Sequence, residues 1–232
     1  TWTANEERNL TPQEREYMRQ RVEADRKARM KAEQERHAEA AAKARSILAE
    51  APNCEVHEYL TRKKVAPCAG LKVAQDGRLV VPVLGEDGKA QSVQFIDQGG
   101  GKRFLTGGKV AGGFFAIRGK SGPLFLVEGL ATGLTVAEAT GRTVLCAFNA
   151  GNLLAVARMA RKKYPERPII VAADNDTGTD GNPGMTAGTA AALDVGGKLA
   201  LPLFPEGAAG TDFNDLAAVA GLEEVTRQLA EA

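Results

Sequence analysis

Cysteine and histidine are scarce in this sequence of 232 residues, which has three cysteines and two histidines. No two cysteines form a CxxC pair, and the histidines lie far from any ligand-like spacing, so we expect no zinc site within the chain. Isolated cysteines in a charged sequence without a signal-peptide pattern indicate a reducing cytoplasm. No apolar run approaches the roughly 18 residues that a membrane span requires, so we expect no membrane association.

An excess of charge of one sign is also missing. The formal net charge is +1 at pH 7, and the hydrophobic fraction of 44% and charged fraction of 25% are ordinary for a globular protein. Overall charge therefore gives no argument for nucleic-acid binding. The first residue is Thr1 rather than methionine, which suggests a fragment of a longer protein.

Glycine is absent before Gly70, and all 26 glycines lie from there onward, which indicates a change of architecture. Residues 1–50 are predicted as a long charged helix, in which Thr11 followed by Pro12 forms the N-cap and first turn. Glu–Lys and Asp–Arg pairs four residues apart support this helix. Its composition favours a solvated linker, and contact of its cations with nucleic-acid phosphates is the alternative.

Residues 51–119 are predicted as a small α+β subdomain with a basic surface. The alternating runs 78–83 and 91–96, separated by a short glycine-containing loop, predict a β-hairpin. A glycine-rich loop is predicted next, and its cations and exposed amides suit phosphate groups. Arg78, at the head of the first strand, adds to the same surface. The loop cations are Lys102, Arg103 and Lys109.

Residues 120–232 alternate between strand-like and helix-like segments. This rhythm predicts an α/β fold with a parallel sheet covered by helices on both faces. The predicted strands are 124–127, 143–147, 168–173 and 198–203, and the predicted helices are 131–139, 153–163, 185–195, 212–220 and 222–230.

Acidic residues follow two of these strands directly. Glu128 follows the first strand, and Asp174 and Asp176 follow the third, with alternate positions that direct both carboxylates the same way. Because the carboxyl ends of parallel strands meet at one edge of the sheet, we expect the three carboxylates to converge there. They would repel one another without a divalent cation, and hard oxygen ligands suit magnesium or manganese. Asp212 and Asp215 begin a later helix, where capping explains them and a second metal is the alternative.

Together, Val127-Glu128-Gly129, a helix, and Asp174-Asn175-Asp176 with its small-residue loop resemble the Toprim domain of bacterial-type primases, topoisomerases and some nucleases. The resemblance covers roughly residues 119–216. It implies that Glu128, Asp174 and Asp176 bind magnesium or manganese, and it leaves open whether Glu128 acts instead as a general acid or base.

The segment upstream resembles primases in particular. The hairpin and Lys102-Arg103-Phe104-Leu105 resemble the basic subdomain that precedes Toprim in bacterial-type primases, and the charged helix resembles plasmid- and phage-encoded primases, including those of conjugative plasmids. The resemblance implies a DNA primase core that synthesises RNA primers by metal-dependent nucleotidyl transfer. Its implied partners are a single-stranded DNA template, ribonucleoside triphosphates, and a replicative helicase or other replication proteins. Arg78, Lys102, Arg103 and Lys109 would contact nucleotide and template, and Asp212 and Asp215 would join the metal-binding set.

Two other functions fit the same residues. A Toprim nuclease would use the same acids to cleave rather than to join. A non-catalytic nucleic-acid-binding or scaffold module would keep the fold and dock through its long helix. A topoisomerase is disfavoured because its catalytic tyrosine has no counterpart: Tyr17, Tyr59 and Tyr164 all lie in helix-like contexts.

Overall fold

The structure, a computed structural model, describes residues 11–232. It confirms the long N-terminal helix as α1 (Pro12–Glu50). The Thr11 hydroxyl accepts the backbone N–H of Glu14, and the Glu14 carboxylate accepts that of Thr11, so the helix begins with a capping box. The first ten residues of the predicted segment 1–50 lie outside the described residues.

The C-terminal part of α1 is docked, which corrects the prediction of a solvated linker. Ala44 is fully buried in a cluster with Val80 and Val93. His37 Nδ1 lies 2.8 Å from the carbonyl oxygen of Gly107. The solvated description therefore holds only for the part of α1 that precedes these contacts. Small alanine side chains let a helix approach a sheet closely. Two buried alanines in such a highly charged segment form no recognisable apolar pattern, so the docking could not be predicted from the sequence.

The small subdomain contains a short helix and a four-stranded antiparallel sheet of order β1-β2-β3-β4. The predicted hairpin is confirmed, since β2 pairs with β3. Lys102 and Arg103 were predicted in a loop, but they lie in β4, which pairs with β3. A tight turn makes this second hairpin, because the Gly101 N–H donates to the Asp97 carboxylate at 2.7 Å. The elements are α2 (Glu58–Arg62), β1 (Lys72–Val73), β2 (Leu79–Leu84), β3 (Ala90–Ile96) and β4 (Lys102–Phe104).

The larger sheet has five strands in the order β5-β7-β6-β8-β9, with α/β connections that confirm the predicted fold class. Pairs among β6 to β9 are parallel, whereas β5 pairs antiparallel with β7. Since Phe115 pairs with Cys146, β5 belongs to this sheet, although our division at residue 119 assigned it to the small subdomain. The elements are β5 (Phe115–Ile117), β6 (Lys120–Val127), α3 (Leu130–Thr140), β7 (Arg142–Cys146), α4 (Ala150–Lys163), β8 (Ile169–Ala172), α5 (Pro183–Asp194), β9 (Lys198–Ala200), α6 (Phe213–Ala220) and α7 (Leu222–Glu231).

Apolar clusters cover both faces of this sheet. On one face, α4 and α5 pack through residues such as Leu153 and Ala191. On the other face, the cluster contains Phe125 of β6 together with Leu79 and Ile96 of the small sheet. The small subdomain and the α/β domain therefore share one core and are packed as two lobes of a single unit.

Within residues 11–232, no helix is both long enough and apolar enough to cross a lipid bilayer.

Candidate functional site

The acidic residues lie at the carboxyl edge of the larger sheet. β6 and β8 are parallel neighbours, with Leu126 opposite Val171, so both strands end at this edge. Glu128 follows β6, and Asp174 follows β8. The backbone N–H of Asn175 donates to the carbonyl of Thr211 at 2.7 Å, which brings the start of α6 to the same edge.

Four carboxylates lie close enough at this edge for their charges to affect one another's protonation. Burial, with the charges of Asp176 and Asp212, raises the pKa of Glu128 to about 7, although the Ala150 N–H donates to its carboxylate. Burial, with the charges of Glu128, Asp212 and Asp176, raises the pKa of Asp174 to about 8. Buried carboxylates that lie close together disfavour each other's charged form. Without a compensating cation, this edge holds protons near neutral pH.

Two of these carboxylates have oxygens without partners. Glu128 Oε1 and Asp174 Oδ1 are buried and make no hydrogen bond. Gly184, in the first turn of α5, lies against both residues: a Cβ there would be 3.0 Å from Glu128 Oε1 and 2.6 Å from the Asp174 carbonyl oxygen. Unpaired buried oxygens are costly, and hard oxygen atoms are what magnesium and manganese bind. The donor chemistry therefore fits a divalent cation.

The carboxylates are not arranged around a common point. Within residues 11–232, no group of three or more His, Cys, Asp or Glu side chains forms a ready metal-binding cluster. Binding of a cation by this set would require the side chains to turn toward one another. The predicted ligand set therefore stays a prediction.

Asp212 and Asp215 both have local partners. Asp212 caps α6, because its carboxylate accepts the Asp215 N–H at 2.8 Å, and its second oxygen accepts the Thr132 hydroxyl at 3.0 Å. The Asp215 carboxylate lies 3.4 Å from Lys63 Nζ and accepts the Thr211 N–H. Of these two aspartates, only Asp212 contributes to the raised pKa values of Glu128 and Asp174. The geometry thus favours Asp212 over Asp215 as a member of the acidic edge.

Strand β4 sends alternate side chains to opposite faces of the small sheet, and one face is turned toward the acidic edge. The positive charge of Lys102 partly opposes the rise that burial and neighbouring carboxylates cause in the pKa of Asp174. Lys102 Nζ also lies 6.0 Å from the ring centre of Tyr59. Phe104 makes an edge-to-face contact with Phe148, with ring centres 5.7 Å apart. Phe148 follows the end of β7, so β4 faces the same edge as the carboxylates.

The other predicted cations do not share this face. Arg103 pairs with Phe95, whose side chain packs in the cluster beneath α1, so Arg103 lies on the α1 side of the sheet. Arg78 is on that side too, with its guanidinium 4.1 Å from the Phe95 ring centre and 2.6 Å from the Asp76 carboxylate. Lys109 is exposed in the segment between β4 and β5. Lys102 therefore lies on one face of the small sheet, Arg78 and Arg103 lie on the other, and Lys109 lies outside its strands.

Sequence reasoning missed Asn182, which orders the acidic loop. Its side-chain oxygen accepts the Asp176 N–H at 2.8 Å, and its amide donates to the Asn175 side chain at 2.8 Å. The same residue caps α5 through Met185. An asparagine directly before Pro183 is a recognisable start signal for a helix, so this residue could have been found.

A family model matches most of the larger domain. It is described as Toprim domain and covers residues 123–223. Over 210 residues the chain is 37% identical to the DNA primase TraC of Escherichia coli. That match covers 85% of this chain and 20% of the relative, so the chain spans about a fifth of the relative's length. The resemblance to Toprim-type primases is confirmed.

Solved structures share the fold. The primase fragment of the bacteriophage T7 primase-helicase protein superposes with a TM-score of 0.60 at 18% identity, over 78% of this chain and 77% of that chain. The Aquifex aeolicus primase, with its zinc-binding and RNA polymerase domains, gives a TM-score of 0.54 at 16% identity, over 84% of this chain and 60% of that chain. Both matches cover a larger share of the chain than residues 123–223, so the likeness in fold extends beyond that segment.

Proposed function

We propose that this chain is the catalytic core of a DNA primase, which joins ribonucleotides on single-stranded DNA by metal-dependent nucleotidyl transfer. The observation that carries the proposal is the pair of buried oxygens without partners, Glu128 Oε1 and Asp174 Oδ1, at the edge that faces Lys102. An acidic edge opposite a cation is the arrangement that a divalent cation and a triphosphate would complete. The sequence similarity to a DNA primase supports this choice among Toprim functions.

Three acids would hold the cation, which is magnesium or manganese. Glu128, Asp174 and Asp176 supply hard oxygen atoms, and Asp212, whose charge acts on the first two, would join them. When bound, the cation supplies charge stabilisation for the phosphoryl group and orients the leaving pyrophosphate. Asp215 belongs to the same predicted metal-binding set, but its carboxylate already pairs with Lys63, so Asp212 is the better candidate ligand of the two.

The protein's own groups would bind the nucleotide and move protons. Lys102 is placed to bind triphosphate oxygens beside the acidic edge. Glu128, with its pKa raised to about 7 chiefly by burial, can hold or release a proton at Oε1 near neutral pH when no cation is bound. Cation binding would favour its ionised form, and the protonated form would then be lost.

The remaining predicted cations would bind the template backbone. Arg78, Arg103 and Lys109 are basic groups outside the acidic edge, and contacts of this kind make binding salt-dependent and tolerant of sequence. The implied partners are a single-stranded DNA template, ribonucleoside triphosphates and a replicative helicase. The three cysteines are free thiols, which suits the reducing cytoplasm that the proposal requires.

The decisive experiment is ribonucleotide incorporation on mixed-sequence single-stranded DNA with magnesium or manganese. We expect short RNA products that disappear with Asp176→Asn and persist with Asp180→Asn, an exposed aspartate in the following turn. Cleavage of the DNA without nucleotides would replace the proposal with a nuclease. Binding of DNA without either reaction would replace it with a non-catalytic module.

A further inference from the structure

A buried asparagine at the start of α4 joins the larger domain to the segment that leads from the small lobe. Asn152 is 5% exposed. Its side-chain oxygen accepts the Gly112 N–H at 2.8 Å, and its amide donates to the carbonyls of Gly113 and Ala147, both at 2.8 Å. One side chain thus ties the β4–β5 connection to the end of β7.

The same turn of α4 also holds an acidic residue. The backbone N–H of Ala150, two residues before Asn152, donates to the Glu128 carboxylate. The N–H of Phe148 donates to the Glu128 carbonyl at 2.7 Å, and Phe148 has a φ of +73°. A bulky residue keeps this backbone conformation only when its surroundings impose it. The connection between the lobes and the position of Glu128 therefore depend on one short segment.

A second buried asparagine makes the equivalent contact at the start of α6. Asn214 is 5% exposed, and its amide donates to the Lys63 carbonyl at 2.8 Å and to the Thr135 hydroxyl at 3.0 Å. Lys63 directly follows α2, the helix that carries Tyr59 beneath Lys102. Asn214 thus ties the small lobe to the helix that Asp212 caps, as Asn152 ties it to the turn that holds Glu128.

We infer that Asn152 and Asn214 are positioning residues, which fix the distance between strand β4 and the carboxylate edge. The inference rests on the proposed function for its catalytic consequence. The apolar core shared by the lobes resists separation, but apolar contact has no direction and permits sliding. Leu84 and Phe114 exchange backbone hydrogen bonds between the lobes at 2.8 and 3.0 Å. The side chains of Asn152 and Asn214 add hydrogen bonds at two further points, and the three points together define one relative position of the lobes.

The chemistry of asparagine explains why this residue type stands at both points. A buried amide is costly unless its donors and acceptor are satisfied, so each side chain disfavours lobe positions that break its bonds. An aspartate of the same shape would lose the donors and set a carboxylate against backbone carbonyls. The lobes would then sample other spacings, and Lys102 would no longer be held opposite Asp174. Misplacement by about 1 Å can cost on the order of a hundredfold in rate.

The first test measures the lobe spacing without reference to catalysis. Spin labels would be placed at Gln98→Cys, in the exposed turn before β4, and at Leu193→Cys, which is 77% exposed on α5. The partly exposed Cys68 would be replaced by serine. We expect Asn152→Asp to broaden the distance distribution relative to Asn53→Asp, a matched change at an exposed asparagine. An unchanged distribution in the folded variant would overturn the inference.

The second test measures ribonucleotide incorporation by the same folded variants. We expect the KM for nucleotide to rise about tenfold with a smaller fall in kcat, because the misplaced lobe weakens nucleotide binding. A role in stability alone would lower the active fraction, hence the apparent kcat, at an unchanged KM. Asn214→Ala provides the same readouts at the second point if Asn152→Asp does not fold.

The two proposals fail in different ways. A broadened distance with no primer synthesis by the unchanged protein would refute the primase proposal and support the positioning role in setting lobe spacing. Normal primer synthesis with an unchanged KM and distance in both variants would refute the positioning role alone.

Discussion

Replacement of Asp174 by asparagine should make the metal-free protein more stable above neutral pH, although it removes a group the proposed reaction needs. Burial first, and then the neighbouring carboxylates, raise the pKa of Asp174 from the ordinary 3.8 to about 8. Between these values the folded protein holds a proton that the unfolded chain releases. Stability is therefore highest below about pH 4 as far as this group is concerned, and it falls as the pH rises to about 8.

The size of the effect follows from the same values. A change from 3.8 to about 8 corresponds to ~6 kcal/mol at ~1.4 kcal/mol for each pH unit. Water reaches part of this edge and screens the charges, so we expect a measurable loss of about 2–4 kcal/mol. Glu128, whose pKa burial raises to about 7, adds a loss of the same sign over a similar range. Asp174→Asn should remove the first contribution and, through reduced repulsion, part of the second.

The assay is urea unfolding between pH 5 and 9, with and without magnesium. The unchanged protein should lose stability with rising pH in a chelator and regain it when magnesium is added at high pH. Asp174→Asn should show a flatter pH dependence and little response to magnesium. Asp180→Asn, at an exposed aspartate, controls for the loss of one negative charge. An equal pH dependence in Asp174→Asn and the unchanged protein would refute the electrostatic account of this edge.

Three further changes test the geometry. Gly184→Ala sets a methyl group against Glu128 Oε1 and should abolish the rise in Tm caused by magnesium, whereas Gly178→Ala, where no atom lies within 4 Å of the new Cβ, should keep it. Lys102→Gln should raise the KM for ribonucleotide about tenfold. Arg103→Gln, on the other face of β4, should leave that KM nearly unchanged and should weaken template binding at low salt. Ala44→Asp buries a charge beneath α1 and should lower the free energy of unfolding by about 3 kcal/mol or more in urea titrations.

The elements of the larger domain could be predicted because its strands and helices alternate in a strong, local pattern. Buried runs such as 124–127 and 168–173 have the short, apolar character of parallel strands. The position of Glu128 and of the Asp174–Asp176 pair followed from where those runs end. Parallel topology places the ends of both strands at the same edge of the sheet. Predicting that edge therefore required no knowledge of side-chain contacts.

The parts that could not be predicted depend on pairing between distant segments. Strand β4 has three residues, and its glycine-rich flanks are typical of a loop, so only its pairing with β3 defines it. The same holds for β5, whose place is set by β7. Asn152 and Asn214 belong to no periodic pattern, and a single polar residue within a helix carries no sign of what it will contact.

The acidic edge is unfavourable for folding on its own, and its persistence needs a compensating source of stability. The repulsion between the Glu128 and Asp174 carboxylates, and the cost of burying their unpaired oxygens, would both fall if this edge of the sheet opened to water. The shared apolar core resists that opening, and the hydrogen bonds of Asn152 and Asn214 lie beside the turns that hold the acids. The free protein cannot remove these unfavourable interactions by opening. They are removed only when a cation and a triphosphate bind. Unfavourable interactions retained in this way strengthen binding at the site where they are relieved.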